Sequence, residues 1–392
     1  MDTDLQERLR KELLEFLDHH STDYAEGTLR IPTAVYTDPD YLRVEFERVT
    51  RRYPVIVAHR GELGGEPGCF LRVDVAGLDL LVVRQDDGTV KALANVCRHR
   101  GTQLESVECG LRRTFSCPYH RWSYDRAGAL RSMPFDDGFH DEDRSQLSLL
   151  AYPAADFAGL IWVLPTRSDL RLDMAAYLGP DLTSEIEASD VADSHLYRAE
   201  TFELNFGWKA VLDGYTDAYH LQFVHPKTVG PFFHTNVYKC DVYGKHRRMV
   251  VARRGIEDFR HTDLGDGEFP KYAISGWQLH PGNLIVRPPA HWEVIVVRPN
   301  PRDLTCSLAT LMMLVPEMPT TEKATRFRER NWELMVSAVV DEDWAVAGTI
   351  DGALARSEMD HLVLGRNEKA TQHFHRTLAA DIASENQTYA NT

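Results

Sequence analysis

Two short loops constrain this chain more than anything else in it. Residues 97–101 read CRHRG and residues 117–122 read CPYHRW. Each pairs a cysteine with a histidine, Cys97 with His99 and Cys117 with His120, in the order C-x-H, seventeen residues, C-x-x-H. Arg98 and Arg100 oppose burial, so the first loop is not ordinary core. Thiolates are soft anionic ligands and imidazole is a neutral, borderline one, so four such donors suit a metal centre. A single tetrahedral zinc ion is one reading, although zinc sites more often run cysteine, cysteine, histidine, histidine. The alternating order on two loops suits a two-iron, two-sulfide cluster, with Cys97 and Cys117 on one iron and His99 and His120 on the other. Neutral histidines in place of two thiolates make such a cluster less negative and raise its potential. Gly101 permits a tight turn, and Pro118 stiffens the second loop. Cys69, Cys109, Cys240 and Cys306 belong to no ligand pattern.

The chain has 392 residues, room for two or three domains with their own cores. Its formal charge of −15 argues against a nucleic-acid surface and against binding to an anionic membrane. No apolar run approaches a membrane span. The opening MDTDLQERLRKELLEFL is charged throughout and lacks the apolar core of a signal peptide. The expectation is a cytoplasmic protein whose six cysteines stay reduced. Leu5, Leu9, Leu13, Phe16 and Leu17 recur at helical spacing, which predicts an amphipathic first helix.

The hydropathy pattern predicts three segments. Residues 1–45 form an N-terminal helical segment. Residues 46–165 are a small antiparallel β domain, with short strands such as VIVAH and LDLLVVRQ and a turn at Asp87-Gly88. Residues 166–392 are a larger domain with strands in its centre and a helical close, TEKATRFRERNWELMVSAVVDEDWAVAG. The fold class is α+β with an antiparallel sheet and flanking helices.

A second constellation lies in the larger domain. Residues 208–225 read WKAVLDGYTDAYHLQFVH, a helical pattern. Asp217 and His220 stand three apart and share a helix face. His225 lies about 140° round an ideal helix from His220. The two histidines reach one metal only if the helix ends or kinks between them, and Pro226 fits such an ending. Two histidines and one carboxylate make the facial triad of non-heme iron oxygenases, with one face left open. The carboxylate comes from elsewhere, and VVDEDWAVAG offers Asp341, Glu342 and Asp343.

CRHRG together with CPYHRWSYD resembles the cluster-binding signature of Rieske proteins. Roughly residues 46–370 resemble the catalytic α subunit of Rieske non-heme iron oxygenases, the aromatic ring-hydroxylating family. That resemblance implies a Rieske [2Fe-2S] domain followed by a helix-grip (START-like) catalytic domain holding mononuclear Fe(II). It implies His220, His225 and Asp343 as iron ligands, with Asp341 in reserve. It gives Asp217 a bridging role between His120 of one subunit and His220 of the next, in a homotrimer. It implies O2 as co-substrate and hydroxylation of an aromatic or heteroaromatic small molecule. Oxidative N- or O-demethylation of a methylated amine or quaternary ammonium compound is the alternative. Phe223, Phe232, Phe233 and Trp292 are candidates to line the pocket. The chain has no G-x-G-x-x-G motif, so NAD(P)H acts only through a partner reductase, with or without a ferredoxin. A non-catalytic Rieske electron carrier would need only the small domain and would leave the triad unexplained. Three positions depart from the family's usual pattern: Arg121 and Gly214 where it commonly has Gly and Asn, and Asp351 where it often has Gln.

Overall fold

The computed structural model describes residues 3–168, 170–260 and 269–384. The chain divides into two compact units, residues 51–177 and residues 1–50 with 178–387. The expected divisions at 45/46 and 165/166 differ from this, and the N-terminal segment does not stand alone. Leu9 and Leu13 of the helix Thr3–Asp18 are fully buried against Val237, Val250 and Ala252 of the larger unit. The strand Leu29–Pro32 also pairs antiparallel with His361–Leu364. Both contacts join sequence-distant apolar surfaces, which no local pattern announces.

The smaller unit is built from antiparallel sheets. One has five strands, in the order Ala151–Tyr152, Val90–Ala94, Leu78–Arg84, Cys69–Val75 and Cys109–Leu111. A three-stranded sheet, Thr114–Ser116, Ser123–Asp125 and Leu130–Ser132, carries the second Cys/His loop as a hairpin connection. Phe70, Leu81, Leu93, Phe115, Trp122 and Tyr124 form one apolar cluster that also contains Cys97 and Cys117. The two cysteines thus enter the core while the arginines beside them stay outside.

The larger unit is organised by a seven-stranded antiparallel sheet. Its order is His195–Leu204, Asp303–Val315, Trp292–Asn300, Asn283–Arg287, Ala273–Leu279, His246–Arg253 and Phe233–Tyr243. Strand periodicity splits its residues between two faces. Val250 and Ala252 pack on the N-terminal helix. Met249, Val251 and Arg253 face the other way, into a cavity, together with Ile274, Gly276 and Gln278 of the next strand. Helical periodicity supplies the opposite wall: Phe327, Asn331, Leu334, Met335 and Ala338 share one face of the segment that begins as the helix Glu322–Val336. The α+β expectation, antiparallel sheet with flanking helices, holds in this unit. Among the described residues, no helix is long and apolar enough to cross a membrane.

One buried ion pair ties the N-terminal segment to the helix Trp208–Tyr215. Asp38 caps the helix Pro39–Glu45 by accepting from the backbone N–H groups of Asp40 and Tyr41. At the other end of that helix, Glu45 is only 1 % exposed. It accepts from Lys209 Nζ at 2.6 and 2.9 Å and from Trp208 Nε1 at 2.8 Å. Removing one member of such a pair strands a charge in the interior and costs about 3–5 kcal/mol. Glu45→Met should therefore lower stability in chemical denaturation by about that amount. The double variant Glu45→Met, Lys209→Met should recover most of the loss, because no charge is then left unpaired.

Candidate active site

The two Cys/His loops have one backbone geometry. Cys97 N–H donates to the Thr102 carbonyl at 2.8 Å, and Gly101 N–H donates back to the Cys97 carbonyl at 3.0 Å. Cys117 N–H donates to Trp122 and Arg121 N–H to Cys117 at the same two distances. In each loop the residue four after the cysteine adopts a left-handed conformation: Gly101 at φ 73° and Arg121 at φ 62°. The departure at Arg121 is thus a residue with a Cβ in a position shaped for glycine, a strain of about 1–2 kcal/mol.

The donor atoms of these loops fit a cluster. Cys97 and Cys117 are buried, and their thiols interact with one another. His99 Nδ1 and His120 Nδ1 are buried with no hydrogen-bond partner, and the two rings lie 4.6 Å apart. A buried nitrogen without a partner is costly, and a metal bond satisfies it. Trp122 stacks on His99 at 4.8 Å and holds its plane. Tyr124 Oη accepts from Arg98 N–H at 3.1 Å, which leaves its own proton free for Cys97 Sγ, 3.3 Å away. Burial opposes ionisation of Cys117, but the N–H groups of His120 and Tyr119 at its sulfur hold its pKa below the ordinary thiol value. A single zinc ion would draw its donors to about 3.3–3.8 Å from one another. Among the described residues, only His220, His225 and Asp343 bring three such donors within 4.8 Å. The Cys97, His99, Cys117 and His120 set is not such a group, and two buried thiols with two unpartnered imidazole nitrogens suit a two-iron cluster.

The second constellation does converge. His220 Nε2 and His225 Nε2 are 3.3 Å apart. Asp343 Oδ1 lies 2.9 Å from His225 Nε2 and 3.4 Å from His220 Nε2. Donors about 2.1 Å from a metal and at right angles stand about 3 Å apart, so one ion fits all three. The expected single helix over residues 208–225 is broken. It runs Trp208–Tyr215 and resumes as Leu221–Val224, with His220 just before the short helix and His225 just after it. Asp217 therefore sits in the connection and does not share a helix face with His220. Thr216 marks the break, its hydroxyl bonded to the Asp213 carbonyl and to Thr371. Asp343 ends a π-helical stretch, Ser337–Asp343, whose extra residue per turn re-aims side chains. Asp341, two residues earlier, is exposed and lies outside the donor group.

Surrounding carboxylates set the imidazole states. Glu342 Oε2 lies 2.7 Å from His225 Nδ1 and also accepts from the Thr228 hydroxyl. With the Nδ1 proton given to Glu342, the Nε2 lone pair faces the site. Asp217 Oδ2 is 3.4 Å from His220 Nδ1, while its Oδ1 accepts from Tyr219 N–H at 2.5 Å. Burial opposes protonation of His220, yet Asp217 and Asp343 overcome it and raise its pKa to about 9. His225 is raised against burial by Asp343 and Glu342, and Asp343 is lowered against burial by both histidines. The carboxylates around the two histidines favour a positive charge at the site, which a divalent cation supplies.

The donors open onto the cavity between sheet and helix, about 450 Å³ in volume. Its wall is mainly apolar, with Phe232 and Phe233 among the lining residues. The other two aromatic candidates are elsewhere: Phe223 is exposed, and Trp292 is buried in a stack with Trp277 at 5.5 Å.

Sequence reasoning missed the supports. Glu342 stood in the acidic trio with no role assigned, and its contact with His225 comes only from the fold. Asp213 accepts from Tyr36 Oη at 2.6 Å and from His375 Nε2 at 2.7 Å, residues 177 and 162 positions away. Asp351 accepts from Gly207 N–H at 2.6 Å and so caps the helix Trp208–Tyr215, a role its carboxylate performs where the pattern has Gln.

Residues 191–384 match the catalytic domain of the ring hydroxylating alpha subunit, and residues 53–146 match the Rieske [2Fe-2S] domain. The chain is 30% identical over 202 residues to the chlorobenzene dioxygenase subunit alpha of Cupriavidus sp. (strain PS12), covering 50% of this chain and 44% of that one. It is 29% identical over 199 residues to the carnitine monooxygenase oxygenase subunit of Escherichia coli (strain K12), covering 50% and 52%. It spans about half the length of such curated relatives. The fold matches a crystal structure of a quaternary ammonium Rieske monooxygenase in complex with L-carnitine, with TM-score 0.75 and 20% identity over 92% of this chain and 97% of that one.

Asp343→Ala should lose mononuclear iron by elemental analysis while keeping the visible absorbance of the cluster, and Asp341→Ala should lose neither. Iron loss in Asp341→Ala instead would move the third ligand. Arg121→Gly should raise the denaturant midpoint for bleaching of the cluster, corresponding to a stability gain of about 0.5–1 kcal/mol after the added chain entropy of glycine is subtracted.

Proposed function

Because the chain belongs to the ring-hydroxylating alpha subunits, with a Rieske [2Fe-2S] domain ahead of the catalytic domain, we propose that it is a terminal oxygenase. Its substrate on this reading is an aromatic or heteroaromatic small molecule, and its reaction is hydroxylation with O2. The observation that carries the reading is the donor triad itself: His220, His225 and Asp343 stand together on the wall of a mainly apolar cavity.

Each residue has a proposed role. Cys97, His99, Cys117 and His120 hold the cluster, and His220, His225 and Asp343 hold the iron. When bound, the cluster supplies one-electron transfer and the iron supplies oxidation by O2. Glu342 keeps the His225 ring oriented through Nδ1. Asp217 orients His220 and is the candidate bridge to His120 of a neighbouring subunit, an arrangement that closes as a homotrimer. The apolar wall excludes water and positions a flat substrate against the open side of the triad. Electrons come from NAD(P)H through a separate reductase, directly or by way of a ferredoxin.

The relatives divide between aromatic dioxygenases and carnitine monooxygenases. Demethylation or hydroxylation of a methylated amine is therefore the competing outcome. An anaerobically reduced protein given O2 and a panel of aromatics, heteroaromatics, methyl ethers and methylated amines distinguishes them by mass spectrometry. Gain of one or two oxygen atoms on a ring substrate is expected. Loss of a methyl group assigns the alternative, and absence of a reducible cluster overturns the oxygenase reading.

A further inference from the structure

The cavity holds a cation that the proposed reaction does not use. Arg253 ends the row Met249, Val251, Arg253 on the cavity face of its strand. It is half-buried. Its guanidinium carbon lies 5.8 Å from the centre of the Phe232 ring. One of its Nη atoms donates to the Lys271 carbonyl at 3.0 Å, while its Nε is buried with no partner.

No carboxylate among the described residues pairs with it. The acids on the cavity wall are otherwise engaged: Glu293 with His291 Nε2 at 3.0 Å, Asp343 with the two histidines, and Asp217 with His220 and the Tyr219 N–H. Burial lowers the Arg253 pKa, and no acid among the described residues offsets that effect. A half-buried guanidinium with no carboxylate beside it is suited to taking up an anionic ligand.

A second unsatisfied donor lines the same cavity. Asn331 Nδ2, on the helical wall, is buried with no partner. Both orphans donate, and they come from opposite walls. Their place in the fold is also informative. Strand register pairs Val251 with Ile274 and Gly276 with Val286, so Arg253 lies at the end of the sheet face that carries Ile274 and Pro288. Gln278 lies toward the other end of that face, where its Nε2 donates to the Tyr215 carbonyl, two residues before Asp217. On the opposite wall, Asn331 precedes Asp343 by about three helical turns. Arg253, Asn331 and the triad therefore line one cavity.

We propose that the substrate carries a carboxylate that Arg253 binds, with Asn331 as a further donor, while the oxidised part of the molecule extends toward His220, His225 and Asp343. Guanidinium and carboxylate match in charge and in planar two-point geometry. This rests on reading the cavity as the substrate site of the proposed oxygenase.

The test is anaerobic calorimetric binding to the iron- and cluster-loaded protein. The probes are benzoate, phenylacetate and 3-phenylpropionate, each beside its own primary amide. At least one acid should bind about tenfold or more tightly than its amide. That preference should vanish in Arg253→Gln and survive in part in Arg253→Lys, with cluster absorbance and iron content unchanged in both. An equal affinity for acid and amide, no binding by any of the acids, or a preference intact in Arg253→Gln overturns the proposal. Its failure is separable from failure of the oxygenase reading. Oxidation of neutral substrates without acid preference removes only the role of Arg253. Acid preference without any oxidised product removes only the oxygenase.

Discussion

The buried carboxylate of Glu45 is the contact on which the catalytic unit turns. An ionised group so far from water survives only if its charge and its lone pairs are met. Lys209 meets the charge, and Trp208 Nε1 takes a further lone pair. Both partners open the helix that leads to Asp217 and His220, so the start of that helix is bound to the N-terminal segment. Asp351 adds a cap at Gly207. Asp213, further along the same helix, is held by Tyr36 and His375. The N-terminal residues are therefore structural parts of the catalytic unit. They fix the origin from which the connection carrying Asp217 and His220 departs.

Beyond Tyr215 the backbone leaves the helical path at a defined place. A continuous helix would separate His220 and His225 by about 140° and prevent a shared ion. The chain instead ends one helix at Tyr215 and begins a four-residue one at Leu221. The histidines flank the short helix, and their Nε2 atoms turn inward. Asp343 arrives from a π-helical stretch, another local departure from regular geometry. Irregular backbone is costly, and here it serves the places where three side chains must meet.

The smaller unit solves a related problem by repetition. Two loops share one hydrogen-bond pattern and one left-handed position, so the two cysteines are presented alike, while His99 and His120 occupy successive positions of the turn. The repetition accounts for Gly101 and exposes Arg121 as its strained counterpart. Packing of Trp122 on His99 and the Tyr124 hydroxyl beside Cys97 then hold the donors in place.

The candidate donors were legible in the sequence because ligand chemistry restricts residue type. Only thiolates, imidazoles and carboxylates serve, and Cys97, His99, Cys117, His120, His220 and His225 stand in short, recognisable spacings. The α+β class was legible for a similar reason, since strand and helix periodicities are local. Long-range geometry was not. The acidic trio at 341–343 offered three equivalent carboxylates, and the helical path alone turns Asp343 to the histidines, Glu342 to the back of His225 and Asp341 to solvent. Among four aromatic candidates, only Phe232 and Phe233 reach the cavity, because Phe223 falls on the exposed side of a short helix and Trp292 on the buried face of a strand. The sequence by itself determined which groups are candidates to bind metal and which segments carry them. Tertiary structure decided which of them meet, and which charge, Arg253, faces the cavity with no carboxylate partner among the described residues. The physical reason is that donor chemistry belongs to single residues, whereas convergence and compensation belong to contacts between segments far apart in the chain.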